Sequence, residues 1–255
     1  MTNLGDGLDL TVLGAGPAYS DRAGAVGAAY LLRHAGQAIV LDLGQGTFTR
    51  LATVRDPATL QAVIISHLHP DHFIDLVPLR HYLRWETRPT KRCRVIGPPG
   101  LDKRVDALHA EAGFFAAALD MEPLTEEARI VGPFALETRR VTHTNDSHGF
   151  RVSIDERAGL IYSGDCGRAE DLEPLIRPGD VLLSEVSFGP GPVVVDALHL
   201  DGPAVGRLAA RTGVARVLLT HLQMGHDRAA TVASVRERFA GPVDLVSPGW
   251  RTAIL

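Results

Sequence analysis

Hydrophobic and polar positions follow two patterns along this chain. Short apolar runs rich in Val, Ile and Leu are separated by turn residues, which is typical of buried strands. Longer stretches repeat apolar residues every three or four positions, several after an Asp or Gly, and these indicate helices. The predicted strands are 8–13, 38–43, 62–65, 94–96, 134–142, 150–154, 160–163, 181–185, 216–220 and 243–246, and the predicted helices are 76–85, 101–112, 169–176, 203–211 and 229–239.

The order of these elements predicts the fold class. Strands outnumber helices early in the chain and alternate with them later, which favours an α/β fold with sheets in the middle and helices outside. A four-layer αββα sandwich has this arrangement. The chain of 255 residues contains no linker, repeat or low-complexity tract, so we predict a single domain over residues 1–255.

Composition narrows the possible partners and location. A hydrophobic content of 45% and a charged content of 22% are those of a globular protein. The net charge of −4 gives no overall attraction to a long nucleic acid. Cys93 and Cys166 are expected to be reduced thiols, and there is no signal peptide or membrane-length apolar run. We therefore expect a cytoplasmic protein without a membrane or long nucleic acid partner.

The run His67-Leu68-His69-Pro70-Asp71-His72 follows the predicted strand 62–65. Imidazole suits zinc and similar metals, and a carboxylate compensates the charge of the ion. Such a set can hold one ion fully or two ions incompletely, so a second ion needs further ligands. The candidates that also follow predicted strands are His143, Asp165 and His221. A single histidine at such a place is more often structural, and only the combination predicts a metal site.

The order of these residues resembles the metallo-β-lactamase superfamily, whose pattern is His-x-His-x-Asp-His, a distant His, a bridging Asp and a final His. The resemblance implies two divalent metal ions, one held by His67, His69 and His143, the other by Asp71, His72 and His221, with Asp165 between them. Asp42, in the motif Asp-x-Gly, is implied to orient the ligand loop rather than to bind. Zinc is the default metal, with manganese and iron as alternatives.

Two further features are similar to the ribonuclease Z and phosphodiesterase branch of the superfamily. The segment 141–151 contains a His, a Gly, an aromatic residue and an Arg in that order, and 163–167 reads Ser-Gly-Asp-Cys-Gly. In that branch a Glu and a His form a pair beside the metals, and Glu185 and His199 occupy these places. A His oriented by a carboxylate can protonate a leaving alkoxide. We therefore predict His199, Glu185 and Asp71 as catalytic residues.

The predicted reaction is hydrolysis of a small, cyclic nucleotide-like phosphodiester by a metal-bridging hydroxide. Only residues 144–164 separate His143 from Asp165, which leaves no room for the arm with which ribonuclease Z grips tRNA. In this respect the chain resembles armless cyclic-nucleotide phosphodiesterase-like proteins. Alternatives are a lactonase or other acyl hydrolase, a nuclease similar to the tRNA 3′-processing endoribonuclease, and a non-catalytic metal-binding protein. The resemblance also implies a homodimer as one option.

Several residues near these motifs have more than one interpretation. Arg151 either helps to hold a phosphate or faces solvent, and Cys166 is either a small core residue or an extra ligand. His148 and His226 either reach the pocket or play no part in it. Residues 223–227, Gln-Met-Gly-His-Asp, stand where relatives have Pro-Pro-Trp, so we expect a different pocket rim.

Overall fold

Two seven-stranded sheets lie face to face in a computed structural model of the chain, which describes residues 7–193 and 198–254. The first sheet has the order β14-β1-β2-β3-β4-β5-β6 and the second β13-β12-β11-β10-β9-β8-β7. The strands are β1 (Asp9–Ala15), β2 (Ala28–His34), β3 (Gln37–Leu41), β4 (Ala62–Ile64), β5 (Cys93–Gly97), β6 (Leu119–Pro123), β7 (Arg129–Val131), β8 (Phe134–Arg140), β9 (His148–Ser153), β10 (Leu160–Tyr162), β11 (Val181–Glu185), β12 (Arg216–Thr220), β13 (Val243–Leu245) and β14 (Arg251–Ala253).

Helices cover the outer faces of both sheets. Residues of α1, α3 and α4 pack on the first sheet, and residues of α5 and α6 pack on the second. The helices are α1 (Thr47–Val54), α2 (Pro70–Phe73), α3 (Leu76–Trp85), α4 (Leu101–His109), α5 (Gly202–Thr212) and α6 (Arg228–Arg236). Within the two described ranges, no helix is long and apolar enough to cross a membrane.

Three apolar layers hold these elements together, and central strands such as β2, β3 and β4 contribute to two layers each. In β3, Ile39 and Leu41 point between the sheets, whereas Ala38 and Val40 point to the helices. This period of two follows from the strand geometry, in which successive side chains face opposite sides. A strand covered on both faces must be apolar throughout, which is why such strands are continuous hydrophobic runs. The layers confirm the predicted four-layer αββα sandwich.

Most predicted elements are present, and the differences have physical causes. The predicted helix 169–176 is a 3-10 segment, Ala169–Leu175, because Pro174 lies inside it and lacks a backbone N–H. The strands that the sequence did not predict include β6, β7 and β14, which lie at sheet edges and carry several polar side chains. The short helices α1 and α2 were also not predicted.

The carboxyl ends of several strands meet at one edge of the molecule. Strands β3, β4, β5 and β6 are parallel neighbours, and so are β10, β11, β12 and β13. Strand β8 runs antiparallel to β9, which in turn runs antiparallel to β10, so β8 and β10 share their direction. The loops that follow β4, β8, β10 and β12 therefore emerge at related edges, and these loops carry the predicted ligands.

Arg151 has neither of its two predicted roles, because it is buried in an ion-pair network. Its neighbours Phe150 and Val152 point between the sheets, so Arg151 points to the opposite face of β9. There it binds Asp180 through Nε and Nη2, at 2.8 and 3.1 Å. Its remaining N–H groups donate to Glu137, Ser153 and the carbonyl of Arg157. All five donors are used, and none is left for a phosphate.

We predict that Arg151→Ala lowers the free energy of unfolding by about 3 kcal/mol or more, because it leaves the fully buried Asp180 carboxylate without its main partner. The matched control is Arg139→Ala on the adjacent strand β8, where the side chain is 49% exposed and pairs only loosely with Glu126 at 3.8 Å. A surface pair of this kind contributes ~1 kcal/mol or less. Urea denaturation measures both, and equal losses would contradict the structural role of Arg151.

Candidate metal centre

The first group of predicted ligands lies at the ends of β4, β8 and β10. Ligand atoms of His67, His69, His143 and Asp165 all lie within 4.8 Å of one another. His69 Nδ1 and His143 Nε2 are 3.1 Å apart, and Asp165 Oδ2 lies 3.7 Å from the Nε2 atoms of His67 and His143. The four side chains thus surround one point.

The second group lies beside the first and shares Asp165 with it. Ligand atoms of Asp71, His72 and His221 also lie within 4.8 Å of one another. The Nε2 atoms of His72 and His221 are 3.2 Å apart, and Asp71 Oδ2 lies 3.3 Å from the Nε2 atom of His221. Asp165 Oδ1 faces this group at 3.4 Å from His72 and 3.5 Å from His221, while its Oδ2 faces the first group. One carboxylate therefore contacts both groups with different oxygens.

Most of these imidazoles are held by their Nδ1 atoms, so that Nε2 faces the centre. A metal-binding histidine almost always donates its second ring nitrogen in this way, which fixes the ring orientation. The partners are Ser66 Oγ for His67 at 3.0 Å, Asp42 Oδ2 for His72 at 2.7 Å, the Leu198 carbonyl for His143 at 2.8 Å and Ser187 Oγ for His221 at 3.2 Å. His69 differs, because its Nδ1 is the atom that faces the centre.

Asp42 holds part of the ligand loop, which is the place that the resemblance to the metallo-β-lactamase superfamily implies for it. Its carboxylate is fully buried and accepts four hydrogen bonds, two of them from the backbone N–H and hydroxyl of Ser66. The others come from His72 Nδ1 at 2.7 Å and from the Tyr162 hydroxyl at 2.6 Å. Asp42 therefore orients His72 and connects it to the second sheet through Tyr162.

The donor set fits a pair of divalent metal ions. Two nitrogens bound to one zinc at ~2.0–2.1 Å in tetrahedral geometry lie roughly 3.3 Å apart, close to the distances within both groups. His67 Nε2 and Asp165 Oδ1 are buried without a hydrogen-bond partner among the described residues. Such atoms normally have a partner, and a bound cation would supply it.

The protonation states of His67 and Asp165 also fit a cation. Burial and the neighbouring histidines hold the pKa of His67 well below its ordinary value, which keeps the imidazole neutral. Burial opposes ionisation of Asp165, but the facing His221 and His72 outweigh it and hold the pKa of the carboxyl well below its usual range. Metal ligation requires neutral imidazole and ionised carboxylate.

Backbone geometry at the centre is unusual at three places. Asp42 and His221 have φ of 56° and 58°, in the left-handed region that non-glycine residues rarely adopt. Such conformations concentrate at functional sites, where the surrounding structure enforces them. A Cβ at Gly44 would lie 1.8 Å from the carbonyl oxygen of Asp71, so only glycine lets the two loops approach this closely.

Glu185 and His199 form a hydrogen-bonded pair next to the first group. His199 Nδ1 binds Glu185 Oε1 at 2.9 Å, and ligand atoms of both lie within 4.8 Å of Asp165. The backbone N–H groups of Cys166 and Ser187 also donate to this carboxylate, at 2.9 Å each. Burial alone would lower the pKa of His199, but Glu185 outweighs it and raises that pKa above its ordinary value.

The residues with open interpretations lie outside both groups. Cys166 is buried in the layer under α5, where its thiol donates to the Arg168 carbonyl at 3.1 Å, so it has the place of a small core residue. His148 is buried and bonds the Asp146 carbonyl through Nδ1 at 2.9 Å. His226 packs on Gly189, where a Cβ would lie 2.6 Å from the imidazole Cγ. None of the three belongs to either group of candidate ligands.

Comparisons with known proteins agree with this geometry. Residues 39–222, well over half of the chain, match the family model "Beta-lactamase superfamily domain". The chain belongs to this family. The uncharacterized protein ML1173 of Mycobacterium leprae is 34% identical over 222 residues, which are 83% of this chain and 76% of that protein. Ribonuclease Z of Mycobacterium sp. (strain KMS) is 30% identical over 241 residues, 84% of each chain.

A solved structure extends the likeness to nearly the whole fold. The metallo-β-lactamase fold protein YhfI of Bacillus subtilis superposes with a TM-score of 0.86 at 21% identity, and covers 97% of this chain and 100% of that one. Membership in the β-lactamase superfamily makes the chain a relative of metallo-hydrolases and implies divalent metal ions, for which the two groups are candidate sites.

Some residues of this β-lactamase superfamily centre were not predicted from the sequence. Ser66, Ser187 and the Leu198 carbonyl hold imidazoles, and Tyr162 holds Asp42. Tyr162 precedes the Ser-Gly-Asp-Cys-Gly motif, and a buried tyrosine needs a hydroxyl partner, so its position gave a weak signal. A backbone carbonyl has no signature in the sequence.

We predict that Tyr162→Phe weakens metal binding by about tenfold or less, because Asp42, the hydrogen-bond partner of His72, loses one of its own four bonds. Tyr30→Phe is the matched control. The two rings lie 4.9 Å apart and both are fully buried, but the Tyr30 hydroxyl binds Thr220 Oγ1 at 2.6 Å instead of Asp42. Titration against a competing chelator measures the affinity, and equal losses in both variants would refute a specific role of Tyr162.

Proposed function

We propose that this chain is a two-metal-dependent phosphodiesterase that acts on a small phosphodiester. The observation that carries the proposal is the placement of His199. Its side chain is 18% exposed and bonds the buried Glu185, and it lies beside the carboxylate that faces both ligand groups. A phosphodiester needs its leaving alkoxide protonated, and an oriented imidazole at this place is suited to that step.

The ligand assignment belongs to the same proposal. His67, His69 and His143 would hold one ion, Asp71, His72 and His221 the other, and Asp165 would contact both. When bound, divalent ions at these places supply Lewis-acid activation of water and neutralise negative charge on phosphate oxygens. Zinc suits the imidazole-rich set, and manganese and iron suit nitrogen and oxygen ligands as well.

The chain's own residues provide the proton chemistry. The Glu185 carboxylate accepts from His199 Nδ1, which leaves Nε2 as the nitrogen that carries the transferable proton. Two backbone N–H groups fix that carboxylate, so the imidazole is held in one orientation. An oriented acid of this kind contributes ~10²–10⁴-fold to a rate.

The size of the substrate is inferred from the segment between His143 and Asp165. Residues 144–164 are all described, and they form β9, β10 and the turns around them. This segment therefore adds no arm that could hold a large RNA. A relative carries the name ribonuclease Z, and ribonucleases act on phosphodiesters, which supports the bond type. The net charge of −4 favours a small substrate over a long nucleic acid.

We expect the purified protein to bind about two divalent ions per chain and to lose activity when they are removed with a chelator. Elemental analysis gives the metal content. The same protein is assayed on cyclic AMP, bis(p-nitrophenyl) phosphate, a lactone and a β-lactam. Hydrolysis of the phosphodiesters alone supports the proposal. Hydrolysis of the lactone alone would make the chain an acyl hydrolase, and protein without metal after reconstitution would refute the two-metal site.

We expect His199→Ala to lower turnover of cyclic AMP by ~10²–10⁴-fold while the metal content stays the same, because the variant removes an acid and no ligand. A second substrate, bis(p-nitrophenyl) phosphate, provides the control. The p-nitrophenolate group leaves without protonation, so bis(p-nitrophenyl) phosphate should lose much less activity. An equal loss on both substrates would show that His199 is not the acid.

A further inference from the structure

A cavity with two arginines in its wall lies next to the candidate metal centre. Its volume is about 220 Å³, and the loop after β1 and the loop after β13 line it. Ala15 forms part of its wall, and the carbonyl of the same residue accepts the backbone N–H of His221 at 3.0 Å. One backbone hydrogen bond therefore connects the wall of the cavity to the candidate ligand His221. None of the candidate ligand side chains lines the cavity.

The charge of this cavity is positive, although the chain as a whole is negative. Arg22 and Arg228 line it together with the hydroxyl residues Ser20 and Ser247, and no carboxylate is among its lining residues. Asp21 and Asp227 line only the open outer cavity that continues from it. Asp227 is also engaged in capping α6, because its side chain accepts the backbone N–H of Ala230 at 2.7 Å.

The guanidinium of Arg22 is held by two hydrogen bonds and keeps further N–H groups that can bind a ligand. Its Nη1 and Nη2 atoms donate to the carbonyls of Leu222 and Gln223, at 2.7 and 3.1 Å. A guanidinium has five N–H donors, so three remain. Ser20 Oγ accepts the backbone N–H of Arg22 at 3.2 Å, and its own hydroxyl proton can still be donated. The cavity thus offers pre-oriented donors next to a second arginine.

We propose that this cavity binds a phosphate group. Planar guanidinium groups form charge-assisted, often bidentate hydrogen bonds with phosphate oxygens. The volume is below the ~300–1,000 Å³ of sites that enclose a whole small ligand, so the cavity suits one group of a ligand. The phosphate is either inorganic phosphate or a terminal phosphate of the substrate, and the second assignment rests on the proposed function.

The test is a titration of the ¹⁵N-labelled, metal-loaded protein with inorganic phosphate, observed by amide signals. Gly24 and Ser247 report on the cavity, and Ser66 reports on the metal centre. Saturable shifts of the cavity signals are expected. Arg228→Ala should weaken phosphate binding at the cavity by about tenfold or more, because it removes a charge-assisted partner, and should leave the Ser66 response unchanged.

Arg207→Ala is the matched control, because it removes an exposed helix arginine with the same change of net charge outside the cavity. It should bind phosphate as the unchanged protein does. The absence of saturable cavity shifts, or equal weakening in the Arg228 and Arg207 variants, would overturn the proposal. These signals do not depend on turnover, so a failure of the phosphodiesterase proposal is seen separately in the assays.

Two dinucleotides that differ only in a 5′-phosphate identify the source of the phosphate. If the phosphorylated form shifts the cavity signals with about tenfold or higher affinity than inorganic phosphate, and the other form shifts only Ser66, the site holds a substrate phosphate. If the phosphorylated form binds the cavity no more tightly than inorganic phosphate, the site is one for the free anion. Either result supports a phosphate site.

Discussion

The buried carboxylate of Asp42 is the interaction on which the rest of the centre depends. An ion taken out of water costs several kcal/mol, and the cost is offset only where hydrogen bonds satisfy its lone pairs. The four bonds to Asp42 come from Ser66 at the end of β4, from His72 in α2 and from Tyr162 in the opposite sheet. The carboxylate that orients His72 therefore also joins the two sheets. The geometry of the centre and the packing of the sheets cannot change independently.

The parts of the fold that the sequence predicts best are the strands covered on both faces. The ranges 181–185 and 216–220 agree with β11 and β12, since residues with both faces buried must form a continuous apolar run. Edge strands lack this signal. Strand β2 is central and buried, yet its sequence, Ala-Ala-Tyr-Leu-Leu-Arg-His, contains no β-branched residue. Its pairing with β1 and β3 determines its conformation, and that information lies outside the segment.

The candidate site divides in the same way. The motif 67–72 is local, so the sequence alone reveals it. The structure brings His143, Asp165 and His221 to this motif as predicted. Their role as metal ligands stays a prediction. The anchors of the imidazoles come from distant segments, such as the Leu198 carbonyl for His143, and a single sequence does not reveal these pairs. Both predicted roles of Arg151, phosphate binding and solvent exposure, are wrong for a related reason. The order His, Gly, aromatic, Arg does not show which face of β9 each side chain occupies.

The interior and the rim of the centre are built differently, and this separates reaction type from substrate choice. Strand ends and buried hydrogen bonds fix the candidate ligands, so the core sets which chemistry the proposed centre could support. The rim consists of loops, which change most easily without loss of the fold. Tyr19 and Met224, at 61% and 44% exposure, lie on the loops that Arg22 ties together. Arg22 donates to the carbonyls of Leu222 and Gln223, which directly follow His221. A ligand that binds Arg22 would therefore be linked through this side chain to the backbone segment that also positions the candidate ligand His221. The loop after β12 therefore carries both a candidate ligand and the two carbonyls that hold Arg22.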